Sequence, residues 1–172
     1  MSRKVLVLPY DHAWPQQFEV ECGVLRVIFG NEAVAIHHFG STSIPGMSAK
    51  PIIDLLVEVR DIFSVDRFNE KMRESGYTPK GENGIPGRRY FVKGSEDLHL
   101  SHVHCFQSGH WQIERCLNFR DYLMDHPGES RTYSRLKEFL AEQFPENINA
   151  YIEGKEPFCE EINAKALRWK EK

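Results

Sequence analysis

Two periodicities run along this chain. From Tyr10 to Phe29 the apolar residues Phe18, Cys22, Leu25 and Phe29 recur at i, i+4, i+7 and i+11, which predicts an amphipathic helix ended by Gly30-Asn31. From Val34 the pattern turns β-like. Val34 to Phe39 is the first strand and Pro51 to Val59 the second, with Val5 to Leu8 before them as a short strand or extended arm. Asp61 to Glu74 reads as a helix burying Phe63, Phe68 and Met72, with Gly76 as its stop. Tyr77-Thr78 opens a strand, Pro79 to Gly87 is a glycine-rich loop, and Arg88 to Lys93 and Leu98 to Phe106 are further strands. After Gly109 the spacing is helical again, over Trp111–His126, Glu129–Phe144 and Pro157–Lys170, with Pro127 and Pro145 at the breaks. The expected fold is α/β, with a mixed sheet in residues 1–108 and a helical cap in 109–172. A cap this small buries little area alone, so one compact domain is the alternative.

Composition narrows the class. At 172 residues, 41% hydrophobic and 27% charged, the chain is an ordinary globular domain with a real core. A formal net charge of −3 argues against a broad nucleic-acid surface but leaves room for a local cationic pocket. The apolar run before Pro9 is too short for a signal peptide, and no segment approaches the roughly 18 apolar residues of a membrane span. Cys22, Cys105, Cys116 and Cys159 show no CxxC spacing, as expected of reduced thiols in a cytoplasmic protein.

Candidate chemistry gathers around Gly40-Ser41-Thr42-Ser43. This small, hydroxyl-rich turn between two strands can present backbone N–H groups to an anion. The strand that follows carries Asp54 in an otherwise apolar run, and a buried carboxylate is costly unless it meets a cation, a metal or donors. Glu58, four residues on, is roughly 13 Å away and a poor metal partner, while position 56, where a second acid would fit, is Leu56. On the last strand His102 and His104 share a face with Leu98, Leu100 and Phe106, and His99, Val103 and Cys105 take the other. Two imidazoles at i and i+2 can hold a metal or move a proton. Arg120, Lys137 and Lys165 lie on apolar helical stripes, where a cation needs an anion: a buried acid for Arg120, a bound phosphate for Lys137. Lys50 precedes the acidic strand, and of Arg88 and Arg89 one at most lines the same cleft. Neither the GxxxxGK[ST] nor the GxSxG pattern is present.

Gly40–Gly46, Ala49–Asp54, Gly87-Arg88, His102-Val103-His104, Phe119–Leu123, Tyr133 with Leu136-Lys137, and Tyr151 with Lys155 and Phe158 together resemble the signature of the GrpB family, in order over nearly the whole chain. The resemblance implies a nucleotidyltransferase-like fold of the polymerase-beta type. In that superfamily a Gly-Ser turn precedes a strand bearing an Asp, and a second acid follows two residues later. Leu56 stands at that second position here, and His102 and His104 stand where a later acid would. The expectation is a nucleotide or other phosphorylated small molecule held by Gly40, Ser41, Thr42, Ser43, Lys50, Arg88, Arg120, Lys137 and Lys155, with a divalent ion (Mg, Mn or Zn) on Asp54, His102 and His104. Three functions fit: metal-dependent nucleotidyl or phosphoryl transfer, a binding module that has lost the reaction, and a His/Asp metal-dependent phosphoesterase.

Overall fold

The stripe of Phe18, Cys22, Leu25 and Phe29 forms a helix as the spacing predicts. In the computed structural model, which describes residues 3–172, it lies on α1 (Trp14–Phe29), with Cys22, Leu25 and Phe29 buried and Phe18 packed at the core's margin. The β-forming runs become β1 (Ala33–Phe39), β2 (Ile53–Val59), β3 (Tyr77–Pro79), β4 (Arg88–Gly94) and β5 (His99–Gln107). They make one mixed sheet in the order β1-β2-β5-β4-β3, in which only β2 and β5 pair in parallel. Side chains alternate across its two faces. Ile53, Leu55, Val57 and Val59 of β2, with Val103 and Cys105 of β5, pack with α1 in the main core. Asp54, Leu56, His102, His104 and Phe106 look the other way.

That second face is where the C-terminal helices sit: α3 (Trp111–Asp125), α4 (Pro127–Gln143) and α5 (Ile148–Lys170). Ile113 of α3 packs on Leu56 and Phe106. Tyr122, Leu123, Tyr133, Ile162 and Ala166 form a second cluster with Ile44 and Met47, which follow the hydroxyl-rich turn. The helices thus hold the sheet at one place and the β1–β2 connection at another, and leave a cleft between.

Two stretches depart from the sequence pattern. Asp61–Glu74 is not one helix: a 3-10 segment runs over Ile62–Phe68, and a helix α2 (Asn69–Glu74) follows. Asp61 accepts from Phe63 N at 3.0 Å and from Ser64 Oγ at 3.0 Å, which starts the tighter turn. At three residues per turn, Ile62, Val65 and Phe68 share a face and take the inward positions. Phe63 is therefore not buried as expected but 75% exposed. The last helix, expected from Pro157, begins instead at Ile148, where Asn147 caps it by accepting from Ala150 N at 3.0 Å. Pro157 lies inside this helix and gives up one backbone bond. Gly154 brings α5 close to α4, because a Cβ there would stand 2.5 Å from Leu140 Cδ2.

Leu25→Ala should cost about 2–5 kcal/mol by urea unfolding, whereas Phe63→Ser should stay within about 0.5 kcal/mol of the parent.

Candidate functional site

Parallel pairing sets the floor of the cleft. The β2–β5 register places Asp54 beside His102 and Leu56 beside His104. Asp54 Oδ1 lies 3.5 Å from His102 Nδ1 and 3.7 Å from His104 Nε2. Burial by itself would raise the Asp54 carboxyl, but hydrogen bonds and charge from His102 and His104 outweigh it and hold the group well below the usual carboxylate range. Burial lowers the pKa of His104 in spite of Asp54 beside it. Glu58 is engaged elsewhere, at 2.7 Å from His37 Nε2. Leu56 is buried against Phe106 and Ile113, so it adds apolar surface where a second acid would stand.

The partners of each ring assign its tautomer. His104 Nδ1 lies 3.2 Å from Arg88 Nη1, which can only donate, so the neutral ring carries its proton on Nε2, toward Asp54. His99 Nδ1 accepts from the Arg3 guanidinium and lies 2.8 Å from His102 Nε2. His102 therefore donates through Nε2; the neutral ring turns the lone pair of Nδ1 to Asp54, and the protonated ring donates to Asp54 from Nδ1 as well. His99 was expected on the opposite face. It reaches His102 because the β4–β5 register shifts between Lys93 and Gly94.

The turn closes one side. Gly40, at φ +72, is followed by a 3-10 turn over Ser41–Ser43. A Cβ at Gly40 would stand 2.5 Å from Asp54 Oδ2, so only glycine lets the turn approach the carboxylate. Gly40, Ser41 and Thr42 line the cleft. Ser43 faces back, its hydroxyl donating to Gly40 O at 2.5 Å. Thr42 Oγ1 lies 2.9 Å from His38 Nε2, and His38 stacks on Phe18. Burial, with smaller opposing effects from Asp54 and Arg120, lowers the His38 pKa to about 4.

The roof comes from the helices, and the cleft measures about 410 Å³. Of the cations expected there, Lys50, Lys137 and Lys155 line it. Arg88 stands behind His104, held by the carbonyls of Glu82 and Asn83 at 3.1 and 2.9 Å. Arg120 braces β1 instead, donating to His38 O at 2.9 Å and to Asp121 Oδ1 at 2.8 Å. Lys165 pairs with Glu129 and Glu161 away from the cleft. Sequence reasoning missed Arg115. It lines the cleft with Gln112, Cys116 and Phe119, an i, i+3, i+4, i+7 face of α3 that was there to be read. Tyr133 and Tyr151, named only as signature residues, also line the cleft, and Cys159 and Asn163, which share the four-residue spacing of Tyr151 and Lys155, were missed.

The four cleft cations share one kind of support. Lys50 and Lys155 place their ammonium groups 5.2 and 5.3 Å from the centroid of the same ring, Tyr151. Lys137 lies 4.3 Å from the Tyr133 ring centroid, and the Arg115 guanidinium 5.8 Å from that of Trp111. Among the described residues none of the four is in an ion pair. Aromatic faces seat these charges without neutralising them. Burial, then repulsion from Lys155 and Arg3, lowers Lys50 to about 8.

A five-stranded mixed sheet with helices on both faces, one face carrying a carboxylate–imidazole cluster under the C-terminal helices, places the chain in the α/β class. The profile of one family, described as "GrpB protein", matches residues 4–165, and the chain belongs to the GrpB family. It is 51% identical to UPF0157 protein YqkA of Bacillus subtilis over 98% of this chain, spanning about half (49%) of that protein. It is 36% identical to glutamate-rich protein GrpB of Alkalihalophilus pseudofirmus, covering 92% of this chain and 94% of that one. A protein named dephospho-CoA kinase, from Mycolicibacterium paratuberculosis, is 26% identical over 96% of this chain and 46% of its own length. The crystal structure of GrpB from Enterococcus faecalis superposes with a TM-score of 0.93 at 39% identity, covering 97% of this chain and all of that one. A cytoplasmic RNA terminal U-transferase gives a TM-score of 0.48 at 12% identity, over 76% of this chain and 44% of that one.

Two outcomes follow from this geometry. Gly40→Ala should destabilise by about 1–3 kcal/mol in denaturant unfolding, through the left-handed backbone and the clash with Asp54. As pH falls below 6.5 the unfolded chain takes up protons that folded His38 and His104 resist, so melting temperature should drop between pH 6.5 and 4. His38→Gln should flatten that drop.

Proposed function

We propose that the cleft binds a nucleotide or similar phosphorylated small molecule together with one divalent cation, and positions it for transfer at phosphorus. The observation that carries the reading is the set of ring-seated cations Lys50, Lys155 and Arg115, none of them in an ion pair among the described residues, around a single carboxylate flanked by two imidazoles. Phosphate oxygens are the ligand chemistry that satisfies both parts.

The donor set fits a metal ion. One ligand atom each from Asp54, His102 and His104 lies within 4.8 Å of the others. Tetrahedral ligation at about 2.1 Å sets donors about 3.4 Å apart, close to the 3.5 Å between Asp54 and His102. With His104 Nε2 carrying a proton, the free ligand atoms are the Asp54 carboxylate and His102 Nδ1, and an imidazole ligand suits Zn²⁺ or Mn²⁺ better than Mg²⁺. When bound, the ion would neutralise charge on phosphate oxygens. Asp54 Oδ1 and the His102 Nδ1 lone pair are ready to hold it. His104, fixed by Arg88 as an Nε2–H donor, is placed to donate to a ligand oxygen. Lys155 and Arg115 would bind phosphate from the roof, and Lys50 from the segment that leads into β2. A relative's name, dephospho-CoA kinase, adds coenzyme-type phosphates to the candidates.

Leu56 favours a second reading, binding without turnover, because its buried side chain stands where a second acid would hold a second ion. Product formation separates the two.

A thermal-shift screen of ATP, UTP, coenzyme A and dephospho-coenzyme A with Mn²⁺, Zn²⁺ or Mg²⁺ tests the site. A phosphorylated ligand with Mn²⁺ or Zn²⁺ should raise the melting temperature by several degrees. Asp54→Asn should lose the metal-dependent part, and His102→Ala should lower metal affinity by about 10-fold or more, His104→Ala by less. No shift with any combination overturns the reading.

A further inference from the structure

Lys137 differs from the other cleft cations. It is 1% exposed, its Nζ donates to the Ser48 carbonyl, and it rests on the Tyr133 ring. Among the described residues no carboxylate stands within ion-pair distance of it. Its chain neighbour Glu138 is turned away to accept from Ser48 Oγ at 2.6 Å. Burial, followed by repulsion from Lys155, lowers the pKa of Lys137 to about 6. A lysine kept only to attract phosphate has no use for so apolar a seat. An uncharged amine carries a lone pair and is a nucleophile.

We propose that Lys137 forms an imine with the carbonyl carbon of an aldehyde or ketone phosphate whose phosphate is held by Lys50 and Lys155. This rests on the reading that the cleft takes phosphorylated ligands, and it narrows their class. Nζ attacks the carbonyl carbon as the C=O π pair moves to oxygen, which takes a proton from nitrogen to give a carbinolamine. The C–O bond then breaks, the hydroxyl leaves as water with the second nitrogen proton, and the C=N bond remains. No oxidant or reductant is needed. The four-carbon stem lets Nζ leave the Ser48 carbonyl for the cleft. Tyr133, one turn earlier on α4, stays protonated through burial and can keep a hydroxyl proton at the step.

Pyridoxal 5′-phosphate is the probe, with borohydride to trap the imine on the full chain and peptide mapping to locate it. At pH 7 the unprotonated fraction of Lys137 exceeds that of an exposed lysine about a thousandfold. The expected result is one dominant adduct at Lys137, half-maximal near pH 6, with exposed Lys80 and Lys172 scarcely labelled. Pyridoxal, which lacks the phosphate, should label at least about tenfold less, since a lost charged contact is worth 1.4 kcal/mol or more. Lys155→Ala should slow trapping and move its half-maximum to higher pH, because repulsion from Lys155 helps lower the Lys137 pKa, and Lys137→Met should remove the dominant adduct. Adducts spread over exposed lysines with Lys137 unmodified overturn the proposal, as does equal labelling by pyridoxal. If trapping fails while nucleotides still shift the melting temperature, only the imine is lost. If Lys137 is trapped and no nucleotide or metal has an effect, the nucleotide reading falls and the imine stands.

Discussion

Asp54 is an acid in a strand whose neighbours on both sides are aliphatic, and β2 is a central strand of the sheet. An ionised carboxylate there needs donors or a cation close by, and water or a ligand above it. Parallel pairing with β5 supplies the donors, by setting His102 beside it and His104 two residues further along the same face. The rest of the site accommodates that group. Gly40 lacks the Cβ that would strike it, and Arg88 and the Arg3–His99 pair hold the two imidazoles from behind. Ile113 covers Leu56 and Phe106, the apolar end of the same face, and leaves the polar end uncovered.

The roof answers this floor with charge of the opposite sign. Cations on a helix facing a sheet are ordinarily paired with acids, and two here are: Arg120 with Asp121, and Lys165 with Glu129 and Glu161. The four in the cleft are seated on aromatic rings. A ring face holds a cation in place at a gain of about 0.5–2 kcal/mol while leaving its donors free. Lys50, whose pKa burial depresses to about 8, would hold its proton more firmly beside an anion.

How much was legible can be judged residue by residue. Asp54, Gly40–Thr42 and the two strand histidines stood out because an acid in an apolar run, and a hydroxyl-rich turn before it, are local patterns. Lys50, Lys137 and Lys155 were found as well. Arg120 was a natural candidate from its stripe, yet its guanidinium is used by the His38 carbonyl and Asp121. Arg115, five residues earlier on the same helix, was the residue that faced the cleft. That Tyr151, Lys155, Cys159 and Asn163 form one row of α5 was hidden because Pro157 reads as a helix start, when the helix begins at Ile148. Phe63 was misplaced by a period of 3.6 where the backbone runs at three.

Local chemistry along the chain therefore determined the elements, their alternating faces, and the acid, turn and imidazoles on which the site is built. The tertiary structure alone decided that β2 lies beside β5 and in what register, which tautomer each histidine adopts, and which helical cations meet over the carboxylate. The reason is physical. Periodicity reports which side of an element is apolar, because burial acts on each residue separately. Pairing register, hydrogen-bond direction and charge compensation arise between residues far apart in sequence, and only the packed chain brings those partners together.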